Sequence, residues 1–303
     1  MLDKNQLENA RQFIWRAARV VDRRRFDFLF EGGSADHVLD ALRAYRNEDG
    51  GFGQGLEPDI RGPESQPLQV YAALLVLDEI DRFDSPMLES ALNYLAAVTA
   101  PDGGVPALVP TGYHVPHAPW MSPPDAATPG SLLPTGGIAG LLHKHGVQHP
   151  WLGPASAFCW EAIGAIQTTH PYEVKFALAF LDHAPERERA EREAERLGKL
   201  VREQNLVIVD RATASDDMSP PGYAPGEFHY PVDYARHPSS LARRWFTDLE
   251  IEQNLLDLER EQCEDGGWMF NWGKWNEAST IESRGAYTIQ VLQTLRGYGL
   301  DDA

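Results

Sequence analysis

The chain is predicted to be all-α: an α/α toroid of concentric inner and outer helices, about six pairs with the last incomplete, in one domain over residues 1–303. Three observations predict it. Asp-Gly-Gly occurs three times, at Asp49-Gly50-Gly51, Asp102-Gly103-Gly104 and Asp265-Gly266-Gly267. The first two copies are 53 residues apart and the last two 163 apart, about three times that step. A period of this size is the mark of stacked helix-loop-helix units. The helical segments also fall into two alternating classes, and their connections alternate between short and long.

The N-terminal segment has an amphipathic stripe, Leu7, Ala10, Ile14, Ala17 and Val21, which places it as a helix able to close the ring. From there outer and inner segments alternate: outer 34–47, inner 65–80, outer 84–99, inner 131–145, outer 149–168, inner 171–183, outer 185–204, inner near 237–246, outer 248–262 and inner 279–296. The inner ones are apolar nearly all round, as in LQVYAALLVLDEI from Leu68 and YEVKFALAFL from Tyr172. Helices of that composition are buried on most sides. Segment 185–204 keeps a narrow stripe, Ala190, Ala194, Leu197 and Val201, on a Glu/Arg background, as an outer helix does. Leu206–Val209 can form a short strand, though nothing demands a sheet.

Inner-to-outer connections are short, and outer-to-inner ones are long: 48–64, 101–130, 205–236 and 265–278. In a ring of alternating antiparallel helices the long loops gather at one mouth. Loops of this length in a compact domain are functional or disordered, and the Pro, Gly and aromatic content here is not that of disorder.

The chain carries 27 Lys and Arg against 45 Asp and Glu, a formal charge of −18. That repels phosphate backbones and anionic lipid, so nucleic acid is not expected as a partner. No apolar run approaches the roughly 20 residues needed to span a bilayer. Two cysteines, Cys159 and Cys263, are too few for a disulfide framework and fit a reducing cytoplasm. No Gly-rich phosphate loop appears, and no cofactor or metal is expected. A monomer or homodimer acting on a small apolar molecule is the expected form.

The repeats carry a family resemblance. Arg43-Ala-Tyr-Arg-Asn-Glu-Asp-Gly-Gly-Phe52 resembles the aromatic-ended QW repeat of the terpenoid cyclase and protein prenyltransferase β-subunit superfamily. Gln262-Cys-Glu-Asp-Gly-Gly-Trp268 is a closer match, with both Gln and Trp present. Pro63-Glu-Ser-Gln-Pro-Leu-Gln-Val-Tyr is similar to the inner-helix opening of squalene–hopene cyclases. The resemblance implies the toroid and an isoprenoid or other apolar substrate. The Asp-x-Asp-Asp motif of the cyclases and the zinc ligands of the prenyltransferases are absent. Within the repeat the aspartates read as turn residues, with glycine ending each outer helix.

Chemistry is sought in the long loops. Glu57 and Asp59 are close enough to perturb one another and supply a general acid, or else they cap the next helix or pair with Arg61. Asp216-Asp217 is a second acidic pair. Glu282 and Arg284 open an apolar helix, where charge is costly unless paired or wet. Trp268, Trp272 and Trp275 fall within eight residues; aromatic faces stabilise cations and also stack on sugars. Tyr113, His114 and Trp120 in loop 101–130 and Tyr230 in loop 205–236 are expected to bind substrate. The leading expectation is a cyclase-like enzyme doing acid chemistry at the toroid mouth. The others are a carbohydrate-active α/α-barrel enzyme, hydrolase or lyase, and a non-catalytic binding protein on a cyclase scaffold.

Overall fold

A computed structural model describes residues 4–121, 129–215, 218–220 and 222–300. The chain is all-α, as expected: among the described residues there are twelve α-helices and no strand, only two isolated bridges, Arg46–Phe52 and Ile60–His117. Leu206–Val209 forms no strand; Ile208 donates to the His229 carbonyl at 2.8 Å, while Leu206 donates back to the Val201 carbonyl at 2.9 Å and accepts the Tyr234 hydroxyl at 2.7 Å. No helix among the described residues is long and apolar enough to cross a membrane.

The helices are α1 (Lys4–Ala17), α2 (Val20–Glu31), α3 (Ala35–Arg43), α4 (Pro67–Glu79), α5 (Pro86–Ala97), α6 (Leu132–Lys144), α7 (Leu152–Ala165), α8 (Pro171–Leu181), α9 (Arg187–Glu203), α10 (Pro231–Tyr234), α11 (Asp248–Arg260) and α12 (Glu277–Gly297). Their starts follow capping rules. Ser34, Ser85 and Ser131 accept from the second residue of α3, α5 and α6, Asn276 caps α12, and Thr247 and Glu250 form a reciprocal box at α11. Pro67 and Pro86 sit at first helical positions, where the missing N–H costs nothing. The apolar helices α4 and α6 are the most deeply buried, and the α9 stripe is buried throughout.

Two segments differ from expectation. The inner helix expected near 237–246 is only a 3₁₀ turn, Leu241–Trp245, preceded by the one-turn α10, which Pro231 opens; Pro238 lies between the two and has no N–H to carry a helix through. The N-terminal stripe is broken after Ala17, and a separate helix, α2, follows over a segment to which the alternation assigns none. Its Asp22 is fully buried, held by Arg19 Nε at 2.8 Å and Arg25 Nη1 at 2.7 Å. Burial alone would raise the Asp22 pKa, but the two guanidiniums together hold it below the ordinary value. Asp22→Asn should therefore destabilise the protein by about 3 kcal/mol, as breaking a buried ion pair does. An unchanged urea midpoint would refute this.

The chain divides into two compact units. One comprises Met1–Phe26, Gln167–Leu178 and Glu191–Ala303, the other Asp27–Ile166 and Ala179–Ala190. In the second, α4 packs on α5 and α6, and α6 on α7; in the first, α1 packs on α12 and α11 on both α10 and α12.

The Asp-Gly-Gly copies fold identically. Asn47, Ala100 and Cys263 each donate an N–H to the second glycine's carbonyl, at 2.9, 2.8 and 2.8 Å, and each accepts from the first glycine. The aspartate Oδ1 accepts the second glycine's N–H at 2.9, 3.0 and 3.1 Å. The first glycines, Gly50, Gly103 and Gly266, have φ of +89°, +92° and +93°, a region other residues avoid. Each Gly-Gly pair presses on two residues one turn apart on a helix: Ser90 and Tyr94 of α5, Pro154 and Phe158 of α7, Asn9 and Phe13 of α1. So α1 receives the third repeat as α5 and α7 receive the first two. Each aspartate also ties down the following segment, through the Ser65 hydroxyl, the Gly130 N–H and the Arg284 guanidinium respectively.

Candidate functional site

In the second unit, loops 48–64 and 101–130 knit together. Arg61 donates to the Pro116 carbonyl at 2.8 Å and Ala118 to the Asp59 carbonyl at 2.8 Å, over a small core of Ile60, Leu68 and Leu108. Asp59 is buried and accepts from Trp120 Nε1 at 3.0 Å. The half-buried Glu57 carboxyl accepts the Asp59 N–H at 3.3 Å. Tyr113 packs on the small core and donates to Leu108 O at 3.4 Å; His114 is exposed. Sequence reasoning thus selected two loops that do meet, and the contacts knit the loops to one another.

In the first unit, a cavity of about 260 Å³ collects side chains from several elements. One face of α12 supplies Tyr287, Gln290, Val291 and Thr294, at helical spacing. The end of α11 supplies Leu258 and Glu261, and α10 supplies Val232 and Asp233, with Arg236 just beyond. The loop after the third repeat adds Met269 and Asn271, and the Arg211–Thr213 turn adds Arg211 beside Tyr230.

The cavity is charged. Arg211 forms an ion pair with Glu261, and its guanidinium lies 3.8 Å from the Tyr230 ring centroid. Burial raises the Glu261 pKa and Arg211 opposes this, while Asp233 and Asp257 push it further up. The Asp233 carboxyl accepts the Tyr230 N–H at 2.8 Å. Tyr287 meets Trp272 edge to face at 5.5 Å, and Trp272 stacks on Phe270 at 4.0 Å.

Near the cavity lies a polar cluster that sequence reasoning passed over. Lys175 of α8 approaches His229 Nδ1 at 3.4 Å and lies 4.1 Å from the centroid of the Tyr172 ring. The Tyr172 hydroxyl donates to the buried Glu227 at 3.2 Å, and Tyr223 stacks on Tyr172 and pairs with His170 at 2.8 Å. The signal in the sequence is Lys175, a cation set with Glu173 in the opening turns of an inner helix that is otherwise apolar. Burial pushes the Lys175 pKa down to about 8, with Asp233 opposing and Arg236 reinforcing the fall. The folded state therefore binds fewer protons than the unfolded one between about pH 8 and the ordinary lysine value. Across that window stability contributed by this group rises with pH. Lys175→Met should raise the urea midpoint at pH 8 and flatten the slope between pH 8 and 10. A variant with the wild-type slope would show that another group titrates there.

The remaining sequence-selected residues lie in several settings. Trp268 is fully buried, donating from Nε1 to Leu258 O at 2.7 Å, and does not line the cavity. Arg284 grips Asp265 through two hydrogen bonds of 2.7 Å and lies 4.5 Å from the Phe13 ring centroid, completing the third repeat turn. Trp275 and Glu282 are half-buried and outside the cavity lining. Tyr230 lines the cavity, and Trp272 reaches it only through Tyr287. Asp216 and Asp217 lie outside the described residues. Among the described residues, no three His, Cys, Asp or Glu side chains gather as a metal-holding group.

No protein-family model matches the chain, and no curated protein matches it. Among solved structures, the chain is similar to the crystal structure of a protein from Actinoplanes, at 15% identity over 97% of this chain and 99% of that one, with a TM-score of 0.59. At that identity the likeness is one of fold: the whole chain follows an architecture already seen in a crystal.

Proposed function

We propose that the chain is an enzyme doing acid–base chemistry on a small hydroxylated substrate, a sugar being the class that fits, in the first unit's cavity. The observation that carries this reading is the pair of carboxylates, in different surroundings, that line one cavity. Glu261, with its raised pKa, is suited to give a proton, and Asp233, tethered by the Tyr230 N–H, to take one. Tyr230 and Tyr287 offer aromatic surface, while Asn271, Gln290 and Thr294 offer hydrogen bonds to hydroxyls.

A second reading is the cyclase-like one, acid chemistry on an isoprenoid. It is favoured by the repeat resemblance and by the Phe270–Trp272–Tyr287 aromatic group at the cavity edge. Against it, a carbocation formed there would sit among carboxylate, amide and hydroxyl oxygens able to capture it. Dry aromatic walls suit such an intermediate better.

The test incubates the protein with a panel of aryl glycosides and oligosaccharides, and separately with polyprenyl diphosphates and squalene, with products read by mass spectrometry. Glycoside turnover that Glu261→Gln abolishes supports the first reading. Turnover of isoprenoids alone would replace it with the second, and sugar binding without turnover would make this a binding protein.

A further inference from the structure

We infer that the substrate of the first unit's cavity is anionic, its carboxylate or other oxyanion being held at the Arg236 end. This rests on the reading of that cavity as the site and deepens it. Arg236 lines the cavity and is exposed, and among the described residues it forms no ion pair or hydrogen bond. Other cations of this unit are engaged: Arg211 with Glu261, Arg202 with Glu250, Arg243 with Asp248 and Arg284 with Asp265. In a chain with 45 acidic against 27 basic residues, an unpaired guanidinium facing a cavity runs against the prevailing charge.

Independent features point the same way. Lys175 has one hydrogen-bond partner among the described residues, His229 Nδ1 at the long distance of 3.4 Å, and no carboxylate within ion-pair reach. His229 is 4% exposed, and its Nε2 is buried with no hydrogen-bond partner. Burial first, then the nearby charges of Lys175 and Arg236, depress the His229 pKa to about 2, so this neutral imidazole lies within reach of both cations. Unpaired buried polar groups are costly, so such a cluster is expected to meet a complementary group.

The opposing charges are Asp233, Glu261, Asp257 and Glu227. Arg211 answers Glu261 and Arg260 answers Asp257 at 3.6 Å, while the Glu227 carboxyl accepts the Tyr172 hydroxyl at 3.2 Å and the Ala224 N–H at 3.3 Å. Arg236 and Lys175 then remain, among the described residues, with no carboxylate within ion-pair distance. A guanidinium holds carboxylate or sulfate oxygens through two parallel hydrogen bonds, which lysine cannot copy.

The test is calorimetric titration at low salt with glucuronate and galacturonate, their neutral counterparts glucose and galactose, and inorganic sulfate. Wild type should bind the acids at least tenfold more tightly than the neutral sugars, and sulfate should compete. Arg236→Gln should erase that ratio and abolish sulfate binding, with Arg236→Lys intermediate. Equal affinity for acid and neutral sugars in wild type, or an unchanged ratio in Arg236→Gln, overturns the inference and leaves the sugar reading standing. Sulfate binding that Arg236→Gln removes, with no sugar bound at all, leaves the anion subsite standing and removes the sugar reading. Absence of sulfate binding overturns the anion subsite.

Discussion

Gly266→Ala should destabilise the protein by at least about 3 kcal/mol, a loss at the upper end of single-substitution effects. Two costs combine. The backbone at Gly266 has φ +93°, which strains any residue with a Cβ by about 1–2 kcal/mol. That Cβ would also lie 2.1 Å from the Asn9 carbonyl oxygen and 2.5 Å from its carbon, both backbone atoms of α1 that cannot rotate away. Relief therefore requires α1 to move off the third repeat. The companion substitutions grade the effect. Gly103→Ala meets the Pro154 carbonyl at 2.9 Å and should cost less, and Gly32→Ala, at φ +74° with nothing within 4 Å, should show backbone strain alone. Urea unfolding of the three variants measures the order Gly266, Gly103, Gly32. A Gly266→Ala protein no less stable than Gly32→Ala would mean that α1 is not seated on the third repeat.

Glu261→Gln should lower turnover of a cleaved glycoside by about a hundredfold or more, the usual worth of a positioned general acid. The same change removes the partner of Arg211. Glu261's side chain is nearly half exposed, so the lost pair should cost only about 1 kcal/mol or less. Activity and stability therefore separate: a large fall in kcat with a small change in urea midpoint is the expected pattern. Because the raised Glu261 pKa keeps the acid protonated to higher pH than an ordinary glutamate, the alkaline limb of the pH–rate profile should lie above the ordinary glutamate value. Asp233→Asn should lower kcat as well, through the base. A Glu261→Gln protein with wild-type turnover would remove the acid assignment.

Much of the helix order was legible in the chain because local chemistry writes it. A serine before an apolar run, a proline at the first helical position and a glycine that must take positive φ are decisions made within a few residues. The Asp-Gly-Gly turns show it best, since their hydrogen bonds close within five residues and are the same in all three copies. Where the local signal was mixed the reading slipped. α2 has no place in the alternation of inner and outer segments, because the Arg19–Asp22–Arg25 arrangement that lets its charge be buried arises only once the side chains are placed. The helix expected near 237–246 is a short turn that follows Pro238.

The site was far less legible. Motif and composition drew attention to the tryptophans and to Arg284, yet Trp268 is core and Arg284 completes a turn with Asp265. The cavity takes one or two residues from each of several separate segments, and each looks ordinary in its own stretch of chain: Glu261 caps α11, and Asp233 caps α10. Their chemistry arises from neighbours supplied by tertiary packing, since burial and nearby charge, not residue type, raise one carboxyl and leave Arg236 unpaired. Local sequence thus determines which segments become helices and where they turn, through interactions spanning a few residues. Which acids share a cavity was settled only by packing, because pKa and charge balance depend on atoms distant in the chain and close in space.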